Sequence, residues 1–119
     1  EKVISDKIYP IREMIAGKKL AIVDEAIFTG TTLRLVCDML HACGVAKIYI
    51  CIPTPIAKHE CSQYVMPDRG FLFNSSESMD LEEYFKADGV YFQSEELFLK
   101  SIGRIKNVCS ECFIRARGE

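Results

Sequence analysis

Two adjacent carboxylates and a hydroxyl-rich turn are the side chains whose types and spacing best suit chemistry. Asp24 and Glu25 directly follow the apolar run Leu20–Val23, and Thr29-Gly30-Thr31-Thr32 comes shortly after them. Carboxylates accept hydrogen bonds from sugar hydroxyls and bind Mg²⁺, whereas a glycine turn that opens a helix presents N–H groups to a phosphate. The pattern therefore suits a ribose phosphate. The alternative is that the acidic pair only ends a strand and Gly30 only turns the chain.

This chemistry needs a strand before the acidic pair and a helix after the turn, and the sequence predicts both. The continuous apolar run 20–23 is typical of a strand buried on both faces, as in a parallel sheet. Residues 33–42 carry apolar side chains at helical spacing, and 47–52 predict a second buried strand. Strand, helix and strand in this order predict a βαβ unit with a right-handed crossover. Ligands of such α/β sheets bind at the carboxyl ends of the strands.

Farther along the chain the same patterns continue. Residues 80–85 predict a short helix with acidic residues in its first turn, 89–92 predict a third strand, and 95–101 predict a helix that Ser94 can cap. The expected fold class is α/β with parallel βαβ units.

Composition limits the classes of function. The chain has 119 residues, of which 15 are basic, 17 are acidic and 49% are hydrophobic, so collagen, coiled-coil and wholly disordered classes are excluded. The nearly balanced charge argues against nucleic acid or an anionic membrane as a partner, and we expect a cytoplasmic protein. The start, Glu1-Lys2-Val3, is neither an initiator Met nor a signal peptide. We therefore expect a piece of a longer protein.

Six cysteines are the unusual feature of the composition. Cys37 and Cys43 lie in a helical stretch and Cys51 in an apolar run, which favours small core residues. Cys109-Ser110-Glu111-Cys112 is a C-x-x-C pair that could be half a zinc site, a redox pair or chance. Redox activity is disfavoured because the pair has no thioredoxin-like strand and helix around it.

The segment Ala21–Thr32 resembles the phosphoribosyl pyrophosphate (PRPP) loop of type I phosphoribosyltransferases, and most of all that of the glutamine PRPP amidotransferases. Ile8-Tyr9-Pro10-Ile11-Arg12, the segment 53–61 and Met66-Pro67-Asp68-Arg69 resemble other parts of the same family. The resemblance implies the second half of a type I phosphoribosyltransferase fold. On this interpretation residues 1–103 are a partial transferase domain with the PRPP loop at 22–32, and 104–119 are a cysteine-containing tail.

The resemblance also implies roles for single residues. Asp24 and Glu25 would hold the ribose hydroxyls and Mg²⁺. Phe28 and the turn Thr29, Gly30, Thr31 and Thr32 would surround the 5′-phosphate, with backbone N–H groups and the hydroxyls of Thr31 and Thr32 as donors. The family usually has Asp where Glu25 stands, and the amidotransferases commonly have Arg where Thr29 stands.

Phe28 bears on the choice among subfamilies. Purine-salvage enzymes with a similar loop have an acidic residue at this position, near the purine base. Phe28 can neither accept nor donate a proton, which argues against hypoxanthine–guanine salvage and fits a transferase that uses ammonia. The alternative is that Phe28 simply packs against other apolar residues.

The cysteines acquire a second interpretation from the resemblance. Some members of this family bind a 4Fe–4S cluster with four Cys thiolates, and Cys61, Cys109 and Cys112 match three of the four. The fourth ligand would lie upstream of residue 1, so the cluster is incomplete here. His59 could substitute as a ligand, although we favour an ordinary surface histidine.

The implied activity is displacement of pyrophosphate from PRPP by ammonia from glutamine, in purine biosynthesis. The glutaminase domain and the first half of the transferase domain, with its pyrophosphate loop and lid, are missing, so we expect no catalytic residue in this stretch and no activity from it alone. PRPP or a purine mononucleotide is the expected ligand, and an open sheet edge favours a homo-oligomer. The alternatives are a regulatory nucleotide-binding module and a cysteine-organised metal-binding domain.

Overall fold

The structure is a computed structural model that describes residues 8–58, 71–73, 79–103 and 108–113. In chain order its elements are α1 (Arg12–Ile15), β1 (Lys19–Val23), α2 (Thr31–Ala42), β2 (Lys47–Ile52), α3 (Leu81–Phe85), β3 (Gly89–Phe92) and α4 (Glu95–Ile102). The strands form one sheet in the order β1-β2-β3. The predicted α/β class is confirmed.

The chain divides into two compact units. The first unit comprises Glu1–Val23, Gly30–Cys51 and Met79–Tyr91, and the second comprises Asp24–Thr29, Ile52–Ser78 and Phe92–Glu119. The division of the sequence into a transferase part at 1–103 and a tail at 104–119 stays a prediction.

The first unit contains the sheet and the helix that follows the phosphate turn. β1 and β2 pair in parallel, with Leu20 opposite Ile48 and Ile22 opposite Ile50. The central strand β2 supplies two fully buried side chains, Ile48 and Ile50. α2 contributes a buried stripe at helical spacing, and Phe85 of α3 is also fully buried. This core fixes where β1 ends and where α2 begins. The stripe of α2 consists of Leu33, Cys37 and Leu40.

Strand β1 differs from its prediction, because it is not buried on both faces. Lys19, Ala21 and Val23 are exposed and the two residues between them are half-buried, with Val23 as much as 73% exposed. Among the described strands β1 lies at the edge of the sheet, whereas β2 lies at its centre. An apolar run indicates a strand but does not tell which faces other elements cover.

The other predicted elements are present with small differences at their ends. α2 begins at Thr31, two residues before the predicted start, and Gly44 follows it at φ +80°. Asp80 caps α3 by accepting from the N–H of Glu83 at 3.0 Å, and Ser94 caps α4 as predicted. None of the helices in the described residues is both long and apolar enough to cross a membrane.

The cysteines predicted to be small core residues are not all equally buried. Cys37 is fully buried within α2, whereas Cys43 and Cys51 are only half-buried. Burial raises the pKa of the Cys37 thiol to about 11, because the thiolate would lose its hydration, and the nearby Asp38 carboxylate adds to the effect. Cys37 is therefore a structural residue rather than a reactive one.

Candidate functional site

The acidic pair begins a short run of the second unit, Asp24–Thr29, which we name the acidic segment. Asp24 is half-buried, and its Oδ1 accepts a hydrogen bond from the N–H of Glu25 at 3.0 Å. The Glu25 side chain is exposed, whereas Ile27, two residues on, is only 3% exposed. The segment is thus anchored by Ile27 and presents carboxylate oxygens at its beginning.

The two carboxyl groups have unequal affinities for a proton. Burial raises the pKa of Asp24, and a hydrogen bond with the Glu25 side chain raises it further. The same hydrogen bond lowers the pKa of Glu25. A proton that enters the pair is therefore held by Asp24, while Glu25 keeps its negative charge. Such a pair can accept from the neighbouring hydroxyls of a sugar, and its charge attracts a divalent cation.

Two hydrogen bonds hold the backbone of the acidic segment from other parts of the second unit. The hydroxyl of Thr54 donates to the carbonyl of Glu25 at 3.0 Å, and the N–H of Leu72 donates to the carbonyl of Phe28 at 2.7 Å. Sequence reasoning missed Thr54. A signal was present, because Thr54 follows β2 and the acidic pair follows β1, and parallel neighbouring strands end at the same edge of a sheet.

Phe28 packs against aromatic side chains of the second unit. Its ring centroid lies 5.7 Å from that of Phe71 and 6.4 Å from that of Phe113. These distances are typical of attractive ring pairs. The side chain is nevertheless 38% exposed. The packing interpretation of Phe28 thus has direct support from its contacts, and part of the ring still faces solvent.

The phosphate turn continues from Thr29 into the first unit, where Gly30 is the N-cap of α2. Gly30 is buried at φ +71°, a backbone conformation that favours glycine, and its carbonyl accepts from the N–H of Arg34 at 3.0 Å. Because Gly30 has no side chain, it cannot cap the N–H groups of the first helical turn as Ser or Asp would. Thr31 is half-buried and Thr32 is exposed. The helix start therefore offers N–H groups and hydroxyls together with the positive end of the helix dipole.

The cysteines predicted as metal ligands are only partly within the described residues. Cys61 and His59 lie outside them, Cys109 is exposed and Cys112 is half-buried. Within residues 8–58, 71–73, 79–103 and 108–113, no group of three or more His, Cys, Asp or Glu side chains is placed to hold a metal ion. The described donors therefore do not make up the four-thiolate set that a 4Fe–4S cluster needs.

Comparison with known proteins shows which family has this order of strand, acidic pair, turn and helix. The phosphoribosyl transferase domain matches residues 1–78, which include both the acidic segment and the start of α2. The chain belongs to the phosphoribosyl transferase domain family. Membership confirms the family resemblance seen in the segment 21–32, and makes this chain a member of a transferase family.

Similar members of the phosphoribosyl transferase domain family carry one name. The chain is 30% identical over 116 residues to the amidophosphoribosyltransferase of Bacillus subtilis (strain 168), covering 94% of this chain and 24% of that protein. It is 28% identical over 110 residues to that of Synechococcus elongatus, covering 90% of this chain and 22% of that protein. The chain thus spans less than a quarter of the length of these relatives.

A solved structure of this family matches the fold as well. Glutamine PRPP amidotransferase from B. subtilis, complexed with ADP and GMP, superposes with a TM-score of 0.74 at 26% identity, covering 95% of this chain and 27% of that one. The described fold is therefore that of part of a type I phosphoribosyltransferase domain. The name of that structure also matches the subfamily that the sequence motifs favoured.

Proposed function

We propose that this chain is part of an amidophosphoribosyltransferase and that residues 22–32 bind the ribose 5-phosphate part of PRPP. One observation carries the proposal: the family match covers a strand followed by a carboxylate pair and a helix that begins at a left-handed glycine. The chemistry of these groups suits the two ends of a ribose phosphate.

The acidic pair is the proposed ribose-binding part. Glu25 keeps its charge more readily than a free glutamate does, because a hydrogen bond with the Asp24 side chain lowers its pKa. The deprotonated pair accepts from the two neighbouring ring hydroxyls, and each such charge-assisted hydrogen bond is stronger than a neutral one. Glu25 reaches farther than the usual Asp, and the hydrogen bond from Thr54 to its carbonyl sets where that longer side chain starts.

The turn at the start of α2 is the proposed phosphate-binding part. The N–H groups after Gly30 point along the helix axis, and the hydroxyls of Thr31 and Thr32 add donors. Thr29 supplies a hydroxyl in place of a guanidinium, so the phosphate is held by N–H and hydroxyl donors without a cationic side chain from this position. Phe28 contributes through its backbone, whose carbonyl is already held by Leu72.

The proposed reaction of the intact enzyme exchanges one bond at the anomeric carbon of PRPP. The C1–O bond to pyrophosphate breaks, and a C1–N bond to ammonia forms, giving 5-phosphoribosylamine. Mg²⁺ would be held by Asp24 and Glu25, and when bound it neutralises charge on the departing pyrophosphate. The contribution of the described residues is to bind and orient the ribose phosphate, and we propose that they are inactive without the rest of the enzyme.

Calorimetric titration of the chain with PRPP and Mg²⁺ tests the proposal. Wild type should bind, and Asp24→Asn should weaken binding at least tenfold, since it removes a charged acceptor. Glu96→Gln is the matched control, because it removes an exposed carboxylate from α4 without touching the loop, and it should bind as wild type does. Absence of heat with wild type, or equal weakening by both substitutions, would contradict ribose-phosphate binding at this loop.

A second candidate function is a regulatory module that binds a purine mononucleotide through the same loop. The observation that favours it is that a similar solved structure is complexed with ADP and GMP. A competition experiment with GMP and PRPP separates the two candidates. The transferase is supported if GMP displaces PRPP only at high excess, and the regulatory module is supported if PRPP displaces GMP only at high excess.

The 4Fe–4S cluster with Cys61, Cys109 and Cys112 also stays a proposal, which iron analysis and the visible spectrum of the full-length protein would test.

A further inference from the structure

Four phenylalanines of the second unit form a chain of ring contacts, which we name the aromatic cluster. Phe71 contacts Phe28 at 5.7 Å between centroids, Phe28 contacts Phe113 at 6.4 Å, and Phe113 contacts Phe98 of α4 at 5.5 Å. Phe113 therefore stands between the acidic segment and α4. It comes directly after the C-x-x-C pair, so the cluster ties a cysteine-bearing turn to the proposed ligand loop.

The turn that carries Phe113, residues 108–113, is held by its own backbone contacts. The N–H of Phe113 donates to the carbonyl of Ser110 at 3.0 Å, and the N–H of Lys58 donates to the carbonyl of Cys112 at 3.0 Å. Lys58 belongs to the stretch after β2 that also contains Thr54, whose hydroxyl holds the carbonyl of Glu25. The stretch after β2 thus hydrogen-bonds both to the turn at 108–113 and to the acidic segment. The turn and the acidic segment also contact each other directly through their rings.

We propose that Phe113 is a positioning residue for the ligand loop, residues 22–32. Through Phe28, docking of the cysteine turn, residues 108–113, is energetically coupled to ligand binding. This inference rests on the proposed function. Phe28 is followed directly by Thr29, the first residue of the phosphate turn, so the position of the Phe28 ring restricts the backbone that enters the turn. Phe113 and Phe71 both pack against that ring.

The coupling works in both directions. If docking of the cysteine turn favours the ligand-binding position of the acidic segment, ligand must favour docking of the turn by the same factor. Cys109 is a free and exposed thiol on this turn, so in the chain without a bound cluster its reaction with iodoacetamide reports how the turn is held. Ligand should slow alkylation of Cys109, although Cys109 itself lies outside the proposed ligand contacts.

The test compares Phe113→Leu with Phe113→Tyr, which keeps the ring, and with Phe73→Leu as a matched control. Phe73 is a half-buried phenylalanine of the same unit that pairs with Phe92. Phe113→Leu should weaken binding of PRPP with Mg²⁺ about fivefold, the effect of losing the ring pair with Phe28, whereas Phe113→Tyr and Phe73→Leu should bind within twofold of wild type. Circular dichroism establishes that each variant is folded.

Two outcomes would overturn the inference: unchanged binding by a folded Phe113→Leu, or equal weakening by Phe73→Leu. Alkylation followed by peptide mass spectrometry gives a readout that needs no ligand. Phe28→Leu should speed the reaction of Cys109 in the ligand-free chain, and an unchanged rate contradicts the contact. If wild type binds no PRPP while Phe28→Leu still speeds alkylation, the proposed function fails and the contact between the loop and the cysteine turn survives.

Discussion

The Cys37 thiol gives the sharpest prediction about stability. Its side chain is fully buried in the first unit, and burial raises its pKa from 9.0 to about 11. In the unfolded chain the thiol ionises near the lower value, so between pH 9 and pH 11 the unfolded state loses a proton that the folded state keeps. The contribution of the buried thiol to the free energy of unfolding is therefore complete below pH 9 and is lost as the pH rises towards 11.

The size of this effect follows from the two pKa values. One pKa unit corresponds to about 1.4 kcal/mol, so a rise from 9.0 to about 11 corresponds to about 2–3 kcal/mol of unfolding free energy. Urea unfolding of wild type and Cys37→Ala, under reducing conditions at pH 8, 9, 10 and 11, measures it. The substitution removes the titrating thiol, and every other ionisable group is common to both proteins. The difference between the two free energies should fall by about 2 kcal/mol between pH 9 and pH 11.

A difference that stays constant over this pH range would refute the reasoning. It would mean that Cys37 is hydrated in the folded protein or is equally buried in the unfolded chain. Thiol reactivity gives an independent measurement at pH 8, where a pKa of about 11 leaves about a hundredfold less thiolate than a pKa of 9.0. Cys37 should therefore be alkylated at least a hundredfold more slowly in the folded protein than in urea.

Three further predictions concern the site and the core. Thr54→Val should weaken PRPP binding about fivefold by removing the hydrogen bond to Glu25, and Thr54→Ser should retain binding; equal affinities of all three proteins would contradict this role. Asp80→Ala should lower the unfolding free energy by about 1 kcal/mol in urea, because the N–H of Glu83 loses its acceptor, whereas Asp80→Asn should lower it less. Phe85→Ala should lower it by about 3–5 kcal/mol, and a loss below 1 kcal/mol would show that the ring is not in the core.

Local patterns in the sequence predicted most of the fold because they are set by neighbouring residues. The apolar spacing of α2, the Ser94 cap and the third strand all appear where they were expected. The prediction that β1 is buried on both faces was wrong, because burial of a second face depends on which elements cover it. The apolar run 20–23 carries no such information, and β1 lies at the edge of the described sheet.

The candidate site was predictable in part for the same reason. The acidic pair and the glycine turn are contiguous, so type and spacing were enough to find them. Thr54 and Phe113 were missed because they reach the acidic segment only after the chain has folded. Phe113 lies in no motif, and the family-resembling segment 53–61 that contains Thr54 does not indicate which of its residues contacts the acidic pair. The contacts of Phe28 likewise required the fold, since the sequence alone left a role beside the ligand and simple packing as equal alternatives.

Asp88 stands just before β3 and bonds twice to the same residue of β2. Its N–H donates to the carbonyl of Ile48 at 2.7 Å, and its Oδ2 accepts from the N–H of Ile48 at 3.0 Å. The carboxylate thus takes the place of a backbone carbonyl in the strand ladder. Slippage of β3 by one residue would put Ala87 or Gly89 opposite Ile48, and neither has a side-chain acceptor. Asp88 therefore selects one pairing register, which keeps Tyr91 on the exposed side of β3.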